Sequence, residues 1–263
     1  MNALPILNYH GIEEHDGEYE WLEAEKTYVL SKDTFKKQIE HLAASGRSAL
    51  SLNQLEEWLK GRENSKSVVL TFDDGLVSHF EHTAPVLKEN NFTGIFFIPA
   101  ALVGQRGQMG WAQLRELVGE GFEIGSHGLK HVPLTNLPGN ELEEEVKQSK
   151  KILEDGLGVE VKSFSVPRGF FHPRIAKTAA EAGYRFLFTS RFELVRRGCD
   201  PLCLGRIAVK RGLSFETFSG MVEGDLGAMK YSERLKEWTR RLVSPAIYTC
   251  LAEVKSRVKA GAA

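Results

Sequence analysis

Seven short runs of β-branched and aromatic residues recur along this chain, and segments with apolar residues three and four apart separate them. No other feature restricts the fold as much. The clearest runs are Ile6 to Tyr9, Ser67 to Phe72, Gly94 to Ile98 and Phe122 to Ile124. Weaker ones are Ser163 to Val166, Phe186 to Thr189 and Arg206 to Val209. Several are almost continuously apolar, as expected of strands buried on both faces of a parallel sheet. Helical spacing covers Thr34 to Ala44, Trp111 to Val118, Glu141 to Leu157 and Arg174 to Ala182, with Asn140 as an N-cap and Gly156 or Gly158 as stops. Strands alternating with helices predict a barrel or a doubly wound sheet. In a β/α barrel, chemistry gathers at the carboxyl ends of the strands.

A length of 263 residues allows one large α/β domain or two small ones. Thirty-four Lys and Arg against 35 Asp and Glu leave a formal net charge of -1, which gives no global drive toward nucleic acid. No stretch approaches the ~20 apolar residues of a membrane-spanning helix. The amino terminus lacks the basic region and apolar core of an export signal. Cys199, Cys203 and Cys250 are too few and too unevenly spaced for a disulfide framework. Together these features predict a cytoplasmic location. Seven acids between Glu13 and Glu25 read as a solvated loop, with a groove wall as the second reading. The tail from Lys230 to Lys259 has helical spacing broken at Pro245. Its eight basic and three acidic residues suit an anionic membrane surface, but a helix docked on the domain is the preferred reading.

Three constellations carry chemistry. Thr71-Phe72-Asp73-Asp74-Gly75 ends a strongly apolar strand, where adjacent carboxylates can diverge. One can hold a metal while the other stays free as a base; a plain strand-to-helix turn is the simpler alternative. Gly125-Ser126-His127-Gly128-Leu129-Lys130-His131 follows another strand and places two histidines four apart. With an oxygen of Asp74 they would make two imidazoles and one carboxylate, the ligand set of a catalytic zinc. Asn8-Tyr9-His10-Gly11 ends the first strand and sets His10 where a proton donor or a capping residue would stand.

Thr71-Phe72-Asp73-Asp74-Gly75 with His127-x3-His131 resembles the first two motifs of the polysaccharide deacetylases, carbohydrate esterase family four. Leu7-Asn8-Tyr9-His10-Gly11 resembles the branch acting on biofilm exopolysaccharides, whose motifs run in permuted order. The similarity covers residues 4 to 220. It implies an α/β fold, a distorted (β/α) barrel of seven parallel strands with surrounding helices. The implied catalytic domain spans 1–228, with its core at 64–220, followed by a helical tail at 229–263. It implies hydrolysis of the N-acetyl group of an amino sugar in a glycan, with a divalent metal, zinc first, on Asp74, His127 and His131. Asp73 would be the base and His10 the acid. The backbone N–H of Arg168 would help hold the oxyanion, and Pro167, Gly169 and His172 would meet substrate.

Three positions depart from the family pattern, the first being Arg168, which follows the proline where most members keep a tyrosine. Ser165 stands where most members keep an arginine that tethers the base, and Lys210 stands where most keep a catalytic histidine. The Arg168 guanidinium offers a replacement reaching Asp73. Lys210 makes sense only if His10 carries the acid role, because an imidazole cycles its proton near physiological pH more readily than an amine. Two rival functions remain: removal of another small acyl group such as formyl, and a non-catalytic, metal-containing glycan-binding protein. Elsewhere, His79-x2-His82 reads as a surface pair on a helix, and His15 and His41 as solvated. Cys199-x3-Cys203 reads as structural, and Trp111 as packing its helix before any role in stacking on sugar.

Overall fold

The computed structural model describes residues 3–15, 17–18, 26–62, 66–227 and 229. Seven strands form the main path of its central sheet: β1 (Ile6–Tyr9), β2 (Ser67–Phe72), β3 (Ile95–Ile98), β4 (Glu123–Ser126), β5 (Ser163–Ser165), β6 (Phe186–Phe188) and β7 (Ile207–Ala208). They lie in the order β6-β5-β4-β3-β2-β1-β7, with every neighbouring pair parallel. A two-residue strand at Ser48–Ala49 pairs off that path with β2. Register aligns the carboxyl ends: Tyr9 lies beside Phe72, and Ile98 beside Ser126.

The sheet curls into a distorted β/α barrel, and one short segment touches both of its edges. Leu204 bridges Phe188 of β6, and three residues later β7 pairs with Leu7 and Asn8 of β1. The alternation of strand side chains divides the core. Val68, Leu70 and Phe72 of β2 pack under the helices, while Val69 joins Ile6, Ile95, Phe97, Phe186 and Phe188 in a second cluster.

Around the sheet lie α1 (Lys32–Ala44), α2 (Leu52–Leu59), α3 (Ala84–Glu89), α4 (Trp111–Gly119), α5 (Gly139–Leu157), α6 (Pro173–Glu181) and α7 (Phe215–Val222). Ser31 caps α1, and Ser51 with Gln54 forms a capping box on α2, so orphan N–H groups are met at both starts. The α5 helix begins two residues earlier than Asn140 predicts. Pro138 is its N-cap, and the Pro138 carbonyl accepts from Leu142 N–H at 2.9 Å. Gly156 does not stop α5: it gives room to the ring of Trp111, which a Cβ there would meet at 2.1 Å. The helix ends at Gly158, whose φ of 72° a side chain would strain. Trp111 packs its helix, as expected. Among the described residues no helix is long and apolar enough to cross a membrane. The tail expected from 229 onward lies outside the described residues apart from Met229, as do Asp16, Glu20, Glu23 and Glu25 of the acidic run. Glu13, expected in solvent, is buried and paired with Arg211. His41 is half-buried against Phe215, with ring centroids 5.0 Å apart.

Gly125 in β4 tests how tightly the sheet is packed below the carboxyl ends. An added Cβ would meet Phe97 at 2.4 Å and Ser163 Oγ at 2.6 Å. Phe97 cannot withdraw freely, since its ring lies 5.2 Å from that of Phe188. Gly125→Ala should therefore lower unfolding stability by ~1–3 kcal/mol, the cost of overpacking a filled core. A urea midpoint equal to that of the wild type would contradict this packing.

Candidate active site

Two loops at the carboxyl edge bring the aspartate pair and the histidine pair together. Beyond β2, Asp73 N–H donates to Tyr9 O at 3.0 Å, and the chain turns sharply through Asp74 at φ 80° and Gly75 at φ 66°. Beyond β4, His127 N–H donates to Ile98 O at 2.8 Å. The turn that follows is held from α5, where the buried Glu145 carboxylate accepts from Leu129 N–H at 2.8 Å and Lys130 N–H at 3.0 Å. Asp74, His131 and Arg168 are three of the four non-glycine residues with positive φ among the described residues. Strained backbone of this kind persists where surrounding contacts over-determine it, commonly at functional sites.

Asp74 Oδ1 lies 3.4 Å from His127 Nε2 and 3.1 Å from His131 Nε2. The ligand atoms of these three side chains all fall within 4.8 Å of one another. His127 Nδ1–H donates to Ser165 O at 2.9 Å, which fixes the tautomer and turns the bare Nε2 toward Asp74. A lone pair facing a carboxylate calls for a shared cation, and the donor set suits zinc. Burial tends to raise the Asp74 carboxyl, but with no cation between them the protonated imidazoles of His127 and His131 would donate to it instead, which outweighs burial and holds the group well below its usual range.

Asp73 faces the other way, into a fully hydrogen-bonded pair. Arg206 donates from Nη1 to Oδ1 and from Nη2 to Oδ2, each at 2.8 Å. Asn8 Nδ2 and Ser165 Oγ each add a bond to Oδ2 at 3.3 Å. Burial alone would raise this carboxyl; the Arg206 guanidinium drives it far below the usual range. The arginine expected to be missing is thus supplied by the residue that precedes β7. Arg168 does not take that role: its residue is exposed, and the buried cation on Asp73 is Arg206. Ser165 joins the pair, accepting from Arg206 Nη2 at 2.9 Å. Sequence reasoning treated Arg206 only as the start of a strand. The available signal was an arginine opening an apolar run.

His10, half-buried at the end of β1, stacks on Tyr28 with ring centroids 4.8 Å apart, and its Nδ1 has no partner. It contributes electrostatically to the lowering of both aspartates. Lys210, two residues past the end of β7, places Nζ 5.6 Å from the centroid of the same Tyr28 ring. Pro167, Arg168 and Gly169 form one 3-10 turn beyond β5, and Pro167 Cγ would lie 3.3 Å from a Cβ on Gly128. His172 is exposed and caps α6, its Nδ1 accepting from Arg174 N–H at 3.2 Å. The His79-x2-His82 pair corrects the surface reading, for both side chains are buried in a π-turn at His79–Thr83. His79 donates from Nε2 to His10 O at 2.9 Å, and burial pushes its imidazole down to about 4. His82 pairs with Glu18 at 3.1 Å. His15 is exposed, as expected. Cys199 and Cys203 are half-buried free thiols, and Arg191 donates to Cys203 Sγ at 3.2 Å.

Residues 60–187 match the family model described as polysaccharide deacetylase. The chain is similar to a poly-beta-1,6-N-acetyl-D-glucosamine N-deacetylase of Staphylococcus epidermidis, 24% identical over 237 residues that cover 82% of each protein. Among solved structures it is similar to IcaB from Ammonifex degensii, with a TM-score of 0.73 and 27% identity over 86% of this chain and 98% of that one. The Streptococcus pyogenes deacetylase PplD, solved in complex with acetate, shares the fold, with a TM-score of 0.76 and 22% identity over 86% of this chain and 99% of that one.

Removal of the buried cation tests the site's electrostatics. Arg206→Met should cost ~3–5 kcal/mol at neutral pH, as expected when a buried charge loses its partner. The folded Asp73 carboxyl titrates below its unfolded value of about 3.9, so the pair's contribution is full above that value and is lost as pH falls toward the folded one. Denaturant melts of chelated protein should show the gap between wild type and variant narrowing with acid. A gap independent of pH would contradict the assignment.

Proposed function

We propose that this chain, whose residues 60–187 match the family model described as polysaccharide deacetylase, removes the N-acetyl group from an amino sugar in a glycan, polysaccharide or lipid-linked precursor. One observation carries the reading: of two adjacent aspartates at one strand end, Asp74 lies 3.4 and 3.1 Å from two histidines, whereas Asp73 is held at 2.8 Å by an arginine and stands 4.0 Å from His127 Nε2.

Asp74, His127 and His131 would hold the divalent ion, zinc by donor chemistry, which when bound lowers the pKa of a water and polarises an acyl oxygen. Asp73 accepts the proton of the attacking water as its oxygen adds to the acetyl carbon. Arg206 keeps that carboxylate ionised and oriented. The backbone N–H of Arg168 donates to the developing oxyanion, in the turn where Pro167 and Gly169 shape the wall. His10, protonated, gives its proton to the sugar nitrogen as the C–N bond breaks, and acetate and a free amine leave. His172, at the mouth of the same loop, is the outermost substrate contact. Residues 1–228 make up the catalytic unit.

The same machinery would remove a formyl group, and only the size of the acyl pocket distinguishes the two. The names of the similar proteins favour acetyl on an amino sugar. With Arg206 on Asp73, the departure at Ser165 gives no support to a non-catalytic binding protein. Acetate release from a panel of N-acetylated glycans, metal-loaded protein against chelated protein, tests the reading.

Three sets of variants separate the roles. Asp73→Asn should keep the metal and lose ~100-fold or more in turnover, the scale of a general base. Metal content should fall in the His127→Ala/His131→Ala double variant, and full occupancy there would remove the ligand assignment. Turnover should drop sharply in His10→Ala with metal retained and far less in Lys210→Ala; the reverse order would give the acid role to Lys210.

A further inference from the structure

We propose that His79 is a positioning residue for His10, fixing through its ring N–H the stretch of main chain that carries the proton-donating imidazole. This rests on the reading of His10 as general acid.

His79 is fully buried, with its ring 5.8 Å from that of Phe72 and 5.6 Å from that of Phe96. A polar ring in an apolar slot is unfavourable unless its polar atoms are bonded. Only one nitrogen is: Nε2–H donates to His10 O at 2.9 Å, while Nδ1 has no partner. A phenylalanine or leucine would fill the slot without leaving a bare nitrogen. What the histidine adds is the bond to His10. Burial keeps the ring neutral, so its one N–H stays committed to that carbonyl.

His10 depends on such a bond. It lies just past the last ladder pair of β1, Tyr9 with Phe72, and is followed by Gly11. Its own Nδ1 meets no acceptor that would orient the imidazole from behind, and Tyr28 supports only one face. Main-chain placement therefore sets where the imidazole points. The flanking carbonyls are tied to other elements, Tyr9 O by Asp73 N–H and Gly11 O by Leu30 N–H, each at 3.0 Å. His79 supplies the tie between them, from a π-turn of the sort that recurs at functional sites.

The test compares His79→Leu with His79→Gln in the metal-loaded full chain, since a glutamine amide reaches about as far as Nε2. His79→Leu should lower kcat by about ten-fold or more, as small displacements of a catalytic group do, with KM, bound metal and Tm held. His79→Gln should recover most of the loss. In NMR spectra the His10 signals should shift or broaden in the Leu variant and return toward wild type in the Gln variant. The proposal is overturned if the Leu variant keeps wild-type kcat, if the Gln variant is equally impaired, or if the loss falls on KM, metal content or Tm. Should the wild type release no acetate from any glycan, the assigned reaction fails by itself. The NMR comparison then decides the positioning role, and unchanged His10 signals would overturn it.

Discussion

A buried arginine holding a buried aspartate is the interaction on which the rest of this site depends. Arg206 comes from the segment that touches both edges of the curled sheet, between the bridge at Leu204 and the pairing of β7 with β1. Its guanidinium reaches Asp73 from there, and its Nε donates to Thr189 O at 3.1 Å. Nη1 also reaches Thr71 Oγ1 at 3.3 Å, and the Phe97 ring lies 5.7 Å away. Burying such a pair is unfavourable unless the geometry is good and the remaining polar atoms are bonded. Here they are. Barrel closure and the charge state of Asp73 are therefore one structural event: a shift of the closing segment would free the carboxylate to protonate or to turn toward Asp74.

The side of the site that carries Asp74, His127 and His131 is held differently, by loop shape. The turn at Asp74 is held by Asp73 N–H on Tyr9 O at 3.0 Å and by Met109 N–H on Gly75 O at 2.9 Å, while positive φ at His131 falls in a turn that α5 and β3 pin through Glu145 and Ile98. Gly128 must lack a side chain there, because a Cβ would sit 3.2 Å from Glu145 Oε2 at a φ of 76°. Ser165 links the halves, offering its carbonyl to His127 and its hydroxyl to Asp73. The carbonyl is main chain and any residue would offer it; what the serine adds is a hydroxyl that donates to Asp73 and accepts from Arg206 Nη2.

Local sequence showed the strands well, because all six residues of β2 and all four of β3 are buried, β3 being wholly apolar and β2 interrupted only by Ser67 and Thr71. It also showed Asp73, Asp74, His127 and His131, since their spacing sits on strand ends that any parallel sheet brings to one edge. The misses have a common cause. Arg206, Glu145 and the burial of His79 depend on contacts between segments far apart in the chain, and no local period reports them. Glu13 is one more case, its carboxylate covered by Arg211 from the far end of the fold. The α2 helix was missed for another reason: its eight residues are short for a periodic signal, although Ser51 and Gln54 spell a capping box.

The account comes down to two neighbouring carboxylates with different duties, one within a cation site and one kept out of it by a guanidinium. Anomalous diffraction at the zinc edge from zinc-loaded crystals tests that division most directly. The account predicts one strong peak bounded by Asp74 Oδ1, His127 Nε2 and His131 Nε2, with Asp73 still paired to Arg206. A peak ligated by Asp73, or zinc bound only elsewhere on the chain, would contradict it.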